Sequence, residues 1–492
     1  MSIPIILRVF VLVALFSAAA IYESTHVTAI DAPELWVHVR TGTWMLENHA
    51  VPRTGLFSQY SSLPWSDSSW GFDLALGIAY RLFGLRAIPI VLMTLKAALA
   101  ITIFLLVRSA GRGFWKAVVA SVIAQLLIPG LQPLPYVLSI LFFAVELQWL
   151  MQSRYSGSLR RLWWLPPLFV LWANLHIQFV AGLFLLTLFL ISLLVECWLR
   201  ALDVSWLSER VRPLPLGPVC VIALLSVSAT LANPYGWRLI ANAVTALYSD
   251  VAFKFFSEMS ALSFRHAQEY ALMLLIMANF LALGRQRSLS LFEMLILLAT
   301  TVLGFRIQRD AWMAVLTAII VLSYTIAVDR GETEPLGKLR VREWGTAVGL
   351  AFLLFMVSAA RLPGRDALMA SVSQNYPVKA CDFILAQKLP GPLFHEYSWG
   401  SFLTWYAPQY PVVVDSRVEM YGSKLLTEYF EVVGGKERLD EHPMVANAGT
   451  LLLEKDSAMA KALLNLPGLK SQYRLVYTDD ISRVFVPVRI EQ

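Results

Sequence analysis

A chain of 492 residues that is 57% hydrophobic and 15% charged has too little polar surface to face water all round, since soluble globular proteins carry about 25% charged residues. Its net charge of +6 would raise nucleic acid as a partner in a soluble protein. Here Lys and Arg fall in short loops between apolar runs, which is a membrane-topology signal, so no nucleic-acid partner is expected. Three cysteines, Cys197, Cys220 and Cys381, are too few and too scattered for a disulfide framework.

Runs apolar enough to span a bilayer lie at 4–22, 85–107, 116–131, 134–151, 162–176, 178–199, 215–231, 268–284, 289–304, 311–328 and 344–360. A hydrocarbon core of about 30 Å needs some 20 helical residues, so the shorter runs extend into their neighbours or re-enter, and about 11 helices are expected. The first run is an uncleaved span or a signal peptide; both readings put the next loop outside. With the chain starting inside, the inner loops hold Arg108, Arg112 and Lys116; Arg154, Arg160 and Arg161; Arg200, Arg210 and Arg212; Arg285 and Arg287; and Arg330, Lys338, Arg340 and Arg342. Every inner loop is basic, and the short outer connections at 132–135 and 177 hold no Lys or Arg.

Two outer loops are long, 23–84 and 232–267, and long ordered loops tend to carry function. The first contains amphipathic stretches at 34–48 and 70–83, and the second opens on the turn Asn233-Pro234-Tyr235-Gly236 and runs into another at 237–248. From 361 the pattern becomes that of a soluble domain. Helices are predicted at 377–388, 399–406, 424–433 and 457–464, and strands at 392–396, 412–415, 451–454, 473–477 and 482–487. The alternation predicts a small α/β domain with a mostly parallel sheet. The expected domains are therefore a transmembrane bundle over 1–360 and an α/β domain over 361–492.

Candidate chemistry concentrates in the first outer loop. Asp31 precedes Pro33 and Glu34, and His38 and Arg40 follow on the next helical turns. A carboxylate there can deprotonate an acceptor hydroxyl, or hold a divalent cation (Mg or Mn) that neutralises a phosphate leaving group. The same residue equally reads as a helix cap. Asp67, with Asp73 near it, supplies a second carboxylate or, again, a cap. Arg306 and Arg309 occupy a short outer turn, where positive charge opposes the inside bias. A lipid-linked phosphate or an ion pair with Asp310 or Asp31 would compensate them. His176 ends a run at the outer face, as a ligand or as a satisfied buried histidine. In the soluble domain Asp415, Arg417 and Tyr421 follow a predicted strand, where α/β domains bind ligands. Lys96 is the one ionisable residue expected deep in a span, with Glu146, Glu196 and Glu293 expected toward inner helix ends. That counts against an ion-coupled transporter.

The plan of a long first outer loop with an early Asp, many spans and a soluble domain after the last resembles the GT-C superfold glycosyltransferases, which use polyprenyl-phosphate-linked sugars. More closely, the chain resembles a large bacterial family of GT-C-like polytopic membrane proteins. The resemblance lies in Leu35-Trp36-Val37-His38-Val39-Arg40-Thr41-Gly42, Val51-Pro52-Arg53-Thr54, Pro64-Trp65, Trp172-Ala173-Asn174-Leu175-His176, Asn233-Pro234-Tyr235-Gly236, Tyr397-Ser398-Trp399-Gly400-Ser401-Phe402-Leu403, Val414-Asp415-Ser416-Arg417 and Tyr421-Gly422. It implies a GT-C-like bundle with a C-terminal α/β domain in the bacterial inner membrane, the domain lying outside the cytoplasm. Asp31 becomes the first-loop acid, and Arg306 or Arg309 contact lipid phosphate. The implied activity is hexosyl or pentosyl transfer from a polyprenyl-phosphate-linked sugar to a saccharide or lipid acceptor. This chain departs from the family at Ser68-Ser69, where His-Glu is usual, and at Met259, where Trp is usual. That departure keeps an alternative open: a non-catalytic envelope protein whose α/β domain binds a saccharide or a protein partner.

Overall fold

In a computed structural model the structure describes residues 5–111, 113–128, 130–202, 211–247, 250–286, 288, 290–329, 341–435 and 442–488. The predicted loop cations Arg112, Arg210, Arg287, Arg330, Lys338 and Arg340 lie outside the described residues, as do positions 4, 129 and 289 in predicted spans. The chain divides into two compact units. One comprises Met1–His26, Leu92–Trp237 and Phe256–Arg361; the other comprises Val27–Val91, Arg238–Phe255 and Leu362–Gln492.

The first unit is helical. Each predicted apolar run is a helix: Ile5–His26, Ala87–Ser109, Phe114–Leu127, Tyr136–Ser156, Leu165–Leu175, Phe179–Ala201, Leu216–Ala229, Ala267–Gly284, Leu291–Arg306, Ala311–Asp329 and Val341–Ala360. Among the described residues six helical stretches are long and apolar enough to cross a membrane, and Phe114–Leu127, Leu162–Leu175 and Leu216–Ala229 are shorter apolar helices. Burial separates inner helices from outer ones. Leu316, Ala318, Ile320 and Val321 of Ala311–Asp329 are buried, as a helix apolar all round requires. Val348, Phe352, Leu353 and Met356 of Val341–Ala360 are exposed, an apolar outer face suited to lipid.

The charges of this bundle differ from expectation. Lys96 is not alone: its Nζ lies 3.7 Å from Oε2 of the buried Glu23. Arg154 and Glu196 form a buried ion pair, and the Tyr155 hydroxyl donates to Glu293 at 2.5 Å. Glu146 is fully buried, and neither carboxyl oxygen has a partner. The predicted span 134–151 ended too early. The helix runs on to Ser156, which moves Glu146 toward its middle and carries Arg154 into the bundle.

The second unit joins Val27–Val91 to the C-terminal segment. Its sheet has β1 (Leu393–His395), β2 (Thr450–Glu454), β3 (Tyr473–Thr478) and β4 (Ser482–Pro487) in the order β1-β2-β4-β3. Only β1 and β2 pair in parallel among the described residues, so the sheet is mixed rather than mostly parallel. The short turn between β3 and β4 dictates this, because a parallel return needs a long crossover. Asp479 Oδ1 closes that turn by accepting from the Ile481 and Ser482 amides at 3.0 and 2.7 Å. The predicted strand 412–415 joins no sheet among the described residues. Its apolar residues are buried, but the backbone of Val412 pairs with the loop at 57–59, through Phe57 O and Gln59 N, each at 2.9 Å. The Val413 amide donates to His395 Nε2 at 3.1 Å. Helices absent from the sequence reading are Asp250–Phe255, Arg365–Asn375, Pro443–Ala446 and Pro467–Gln472.

Candidate active site

Two helices of the segment Val27–Val91, Leu35–Asn48 and Trp70–Phe83, build the site. They cross where Gly42 meets Gly77: a Cβ on Gly42 would fall 1.9 Å from Asp73 O, and one on Gly77 would fall 2.5 Å from the Gly42 carbonyl carbon. Only hydrogen fits at such a crossing. His38 lies one turn before Gly42, and Asp73 one turn before Gly77. The same crossing therefore brings them together, with His38 Nδ1 2.7 Å from Asp73 Oδ1. On the other face Trp36 is buried, stacked on Trp405 at 4.5 Å and edge-on to Tyr376 and Phe402, both at 5.7 Å.

Asp67 completes the group. It is 2% exposed. Its Oδ1 accepts from the Ser69 amide at 3.0 Å and the Ser69 hydroxyl at 3.2 Å, and its carboxyl also interacts with that of Asp73. The Ser69 that departs from the resembling family is thus the residue that fixes Asp67. Burial pushes the Asp67 carboxyl well above the usual carboxylate range, and the Asp73 charge raises it further. Burial also pushes Asp73 up and holds the His38 imidazole below its usual value. Burial therefore favours the neutral form of all three groups, which suits them to donate protons and hydrogen bonds rather than to act as bases.

A second cluster stands beside Trp65, whose indole N–H donates to Glu419 Oε1 at 3.2 Å. Asp415, fully buried, accepts from Arg417 Nε at 2.9 Å, Arg417 Nη2 at 2.5 Å and the Tyr421 hydroxyl at 2.9 Å. These three predicted substrate residues mostly bind each other. Asp31 sits in the single turn Ala29–Asp31, exposed, and accepts from Asn375 at 2.9 Å. It does not cap the following helix, where Glu34 holds the cap position, and it shares no hydrogen bond or ion pair with Asp67 among the described residues. Arg40 lies 3.6 Å from the exposed Glu47. In the first unit, His176 Nδ1 bonds Ser139 Oγ at 2.8 Å, and Ser139 also accepts from Trp172 at 2.8 Å. Arg309 pairs with Glu258 at 3.1 Å, while Asp310 accepts from Gln178 at 2.9 Å and feels the Arg309 charge. Arg306 ends the helix before that turn. Among the described residues no three of His, Cys, Asp and Glu gather as a metal-binding group. Sequence reading missed Phe57 and Glu419 as site residues. Nothing in a linear pattern marks Phe57, whereas Glu419, two residues past Arg417, was at least adjacent to a motif.

No family model matches the sequence, and no curated protein matches it. Solved structures do share the fold. The oligosaccharyltransferase of Archaeoglobus fulgidus in its apo form matches 99% of this chain and 74% of its own, with a TM-score of 0.50 and 13% identity. The same enzyme tethered to an acceptor peptide covers the same shares at a TM-score of 0.49 and 12% identity. ArnT from Cupriavidus metallidurans bound to undecaprenyl phosphate covers 99% and 98%, at 0.48 and 13%. The chain is a polytopic, mostly helical membrane protein of distant GT-C-like fold with a small C-terminal α/β region.

Proposed function

We propose that this protein is a membrane glycosyltransferase that moves a hexosyl or pentosyl group from a polyprenyl-phosphate-linked donor to a saccharide or lipid acceptor, at the outer face of the bacterial inner membrane. The observation that carries this reading is the buried acid group at the helix crossing, Asp67 and Asp73 beside His38, with His38 Nδ1 2.7 Å from Asp73 Oδ1. Buried carboxyls with strongly shifted pKa values cluster at functional sites. The end-to-end fold likeness to an oligosaccharyltransferase supports the same class.

In the proposed reaction an acceptor hydroxyl oxygen bonds to the anomeric carbon. The bond from that carbon to the phosphate oxygen breaks, and polyprenyl phosphate leaves. Asp31, whose carboxylate faces solvent, takes the hydroxyl proton. Asp67, kept protonated, donates to the departing phosphate oxygen, where negative charge grows. In the alternative to its role as base, Asp31 would hold a divalent cation (Mg or Mn), which would supply neutralisation of the leaving phosphate's charge. Within the first unit, and apart from these acids, Arg306 and Arg309 are proposed to bind a lipid phosphate, Arg309 by releasing Glu258, an exposed and so weakly held partner. The test is transfer from a labelled polyprenyl-phosphate sugar by the purified chain in lipid. Asp31→Asn is expected to slow it by about 10²-fold or more. Wild-type rates in that variant would remove Asp31 as the base.

A further inference from the structure

Arg40 and Arg417 share one aromatic ring. Their guanidinium carbons lie 5.0 and 5.8 Å from the centre of Phe57, and that of Arg417 lies 4.7 Å from Trp65. A guanidinium stacked on a ring is held by its face and keeps its edge for hydrogen bonds. Phe57 has a φ of 68°, a left-handed conformation that an aromatic residue rarely takes. The loop is clamped to the segment at Val412: Phe57 O accepts from the Val412 amide at 2.9 Å, and the Gln59 amide and Ser58 hydroxyl donate to Val412 O at 2.9 and 3.2 Å. Strained backbone that the surroundings hold in place is a mark of a working site.

The edges of the two guanidiniums are incompletely used. Arg417 is 4% exposed; Asp415 engages its Nε and Nη2, while Nη1 is buried without an acceptor. Arg40 Nε is likewise buried without one. These atoms can only donate, so whatever satisfies them brings oxygen acceptors. We propose that Arg40 and Arg417, braced on Phe57, form an oxyanion subsite for a phosphate or carboxylate group of the substrate. That the ligand is a substrate rests on the glycosyltransferase reading; that the subsite binds an oxyanion does not.

The experiment titrates inorganic phosphate into the full chain in lipid nanodiscs by calorimetry, with and without a polyprenyl phosphate in the disc, alongside sugar transfer. Saturable phosphate binding is expected, weakened about tenfold in Arg40→Gln, whose lost partner Glu47 is exposed. Arg417→Lys, which keeps its charge against Asp415, is expected to weaken it likewise. Loss of phosphate binding in discs carrying the lipid identifies the headgroup as the oxyanion, and retention identifies a soluble one. Absence of saturable binding, or equal affinity in wild type and Arg40→Gln, overturns the subsite. Transfer without phosphate binding defeats this inference alone; phosphate binding without transfer defeats the proposed function alone.

Discussion

His395 carries two backbone bonds at once. Its Nδ1 meets Glu396 O at 2.9 Å and its Nε2 accepts from the Val413 amide at 3.1 Å. That arrangement needs the neutral ring, and burial pulls its pKa from 6.5 down to about 4. The unfolded chain therefore binds more protons than the folded one between those values. Stability is full above pH 6.5, falls as pH drops toward 4, and is flat below, with about 3 kcal/mol lost from this group. Thermal unfolding of the full chain across that window checks it, and His395→Gln should flatten the slope. Asp67 has the opposite sign. Its raised pKa favours the protonated fold, so stability falls as pH rises through it, and Asp67→Asn should be more thermostable than wild type at alkaline pH. At this scale the sequence showed the acids and bases but not their partners. Asp415, Arg417 and Tyr421 stood out as polar residues after a strand, yet their hydrogen bonds run to one another. A cation over a ring at a left-handed Phe57 leaves no trace in spacing.

Glycine sets the helix crossing that makes the site. With its Cβ 1.9 Å from Asp73 O, Gly42→Ala must push the two helices apart. The expected cost is about 1–3 kcal/mol, with loss of the His38–Asp73 bond. Chemical unfolding and the imidazole NMR signal of His38 report both. In the bundle, Glu196→Ala leaves Arg154 buried and uncompensated, an expected cost of about 3–5 kcal/mol. Arg154→Met with Glu196→Leu should return to near wild-type stability, which separates a buried charge from a packing defect. Elements were the most legible level, because a helix that must bury or face lipid on every side writes itself as an apolar run. Two kinds escaped. Arg365–Asn375 has little apolar periodicity to announce it. The run 412–415 has the burial of a strand, but its backbone bonds go to the distant loop at 57–59 and to His395, contacts that local pattern does not encode.

For the whole molecule, contact grouping sets Val27–Val91 with Leu362–Gln492. A linear reading sees a loop inside a bundle followed by a tail; the residues that bond Asp415's neighbours to Phe57 lie more than 350 positions apart in sequence. The membrane-spanning character came directly from composition, whereas the assembly of His38, Asp67 and Asp73 needed the glycine crossing. Whether this buried acid cluster serves sugar transfer is read by single-turnover transfer from a labelled polyprenyl-phosphate sugar, wild type against Asp67→Asn, across pH. Transfer by wild type is expected to decline as pH rises and strips the Asp67 proton, and Asp67→Asn is expected to be slower by about 10²-fold or more. Equal rates in the two proteins at every pH would remove the cluster from the reaction.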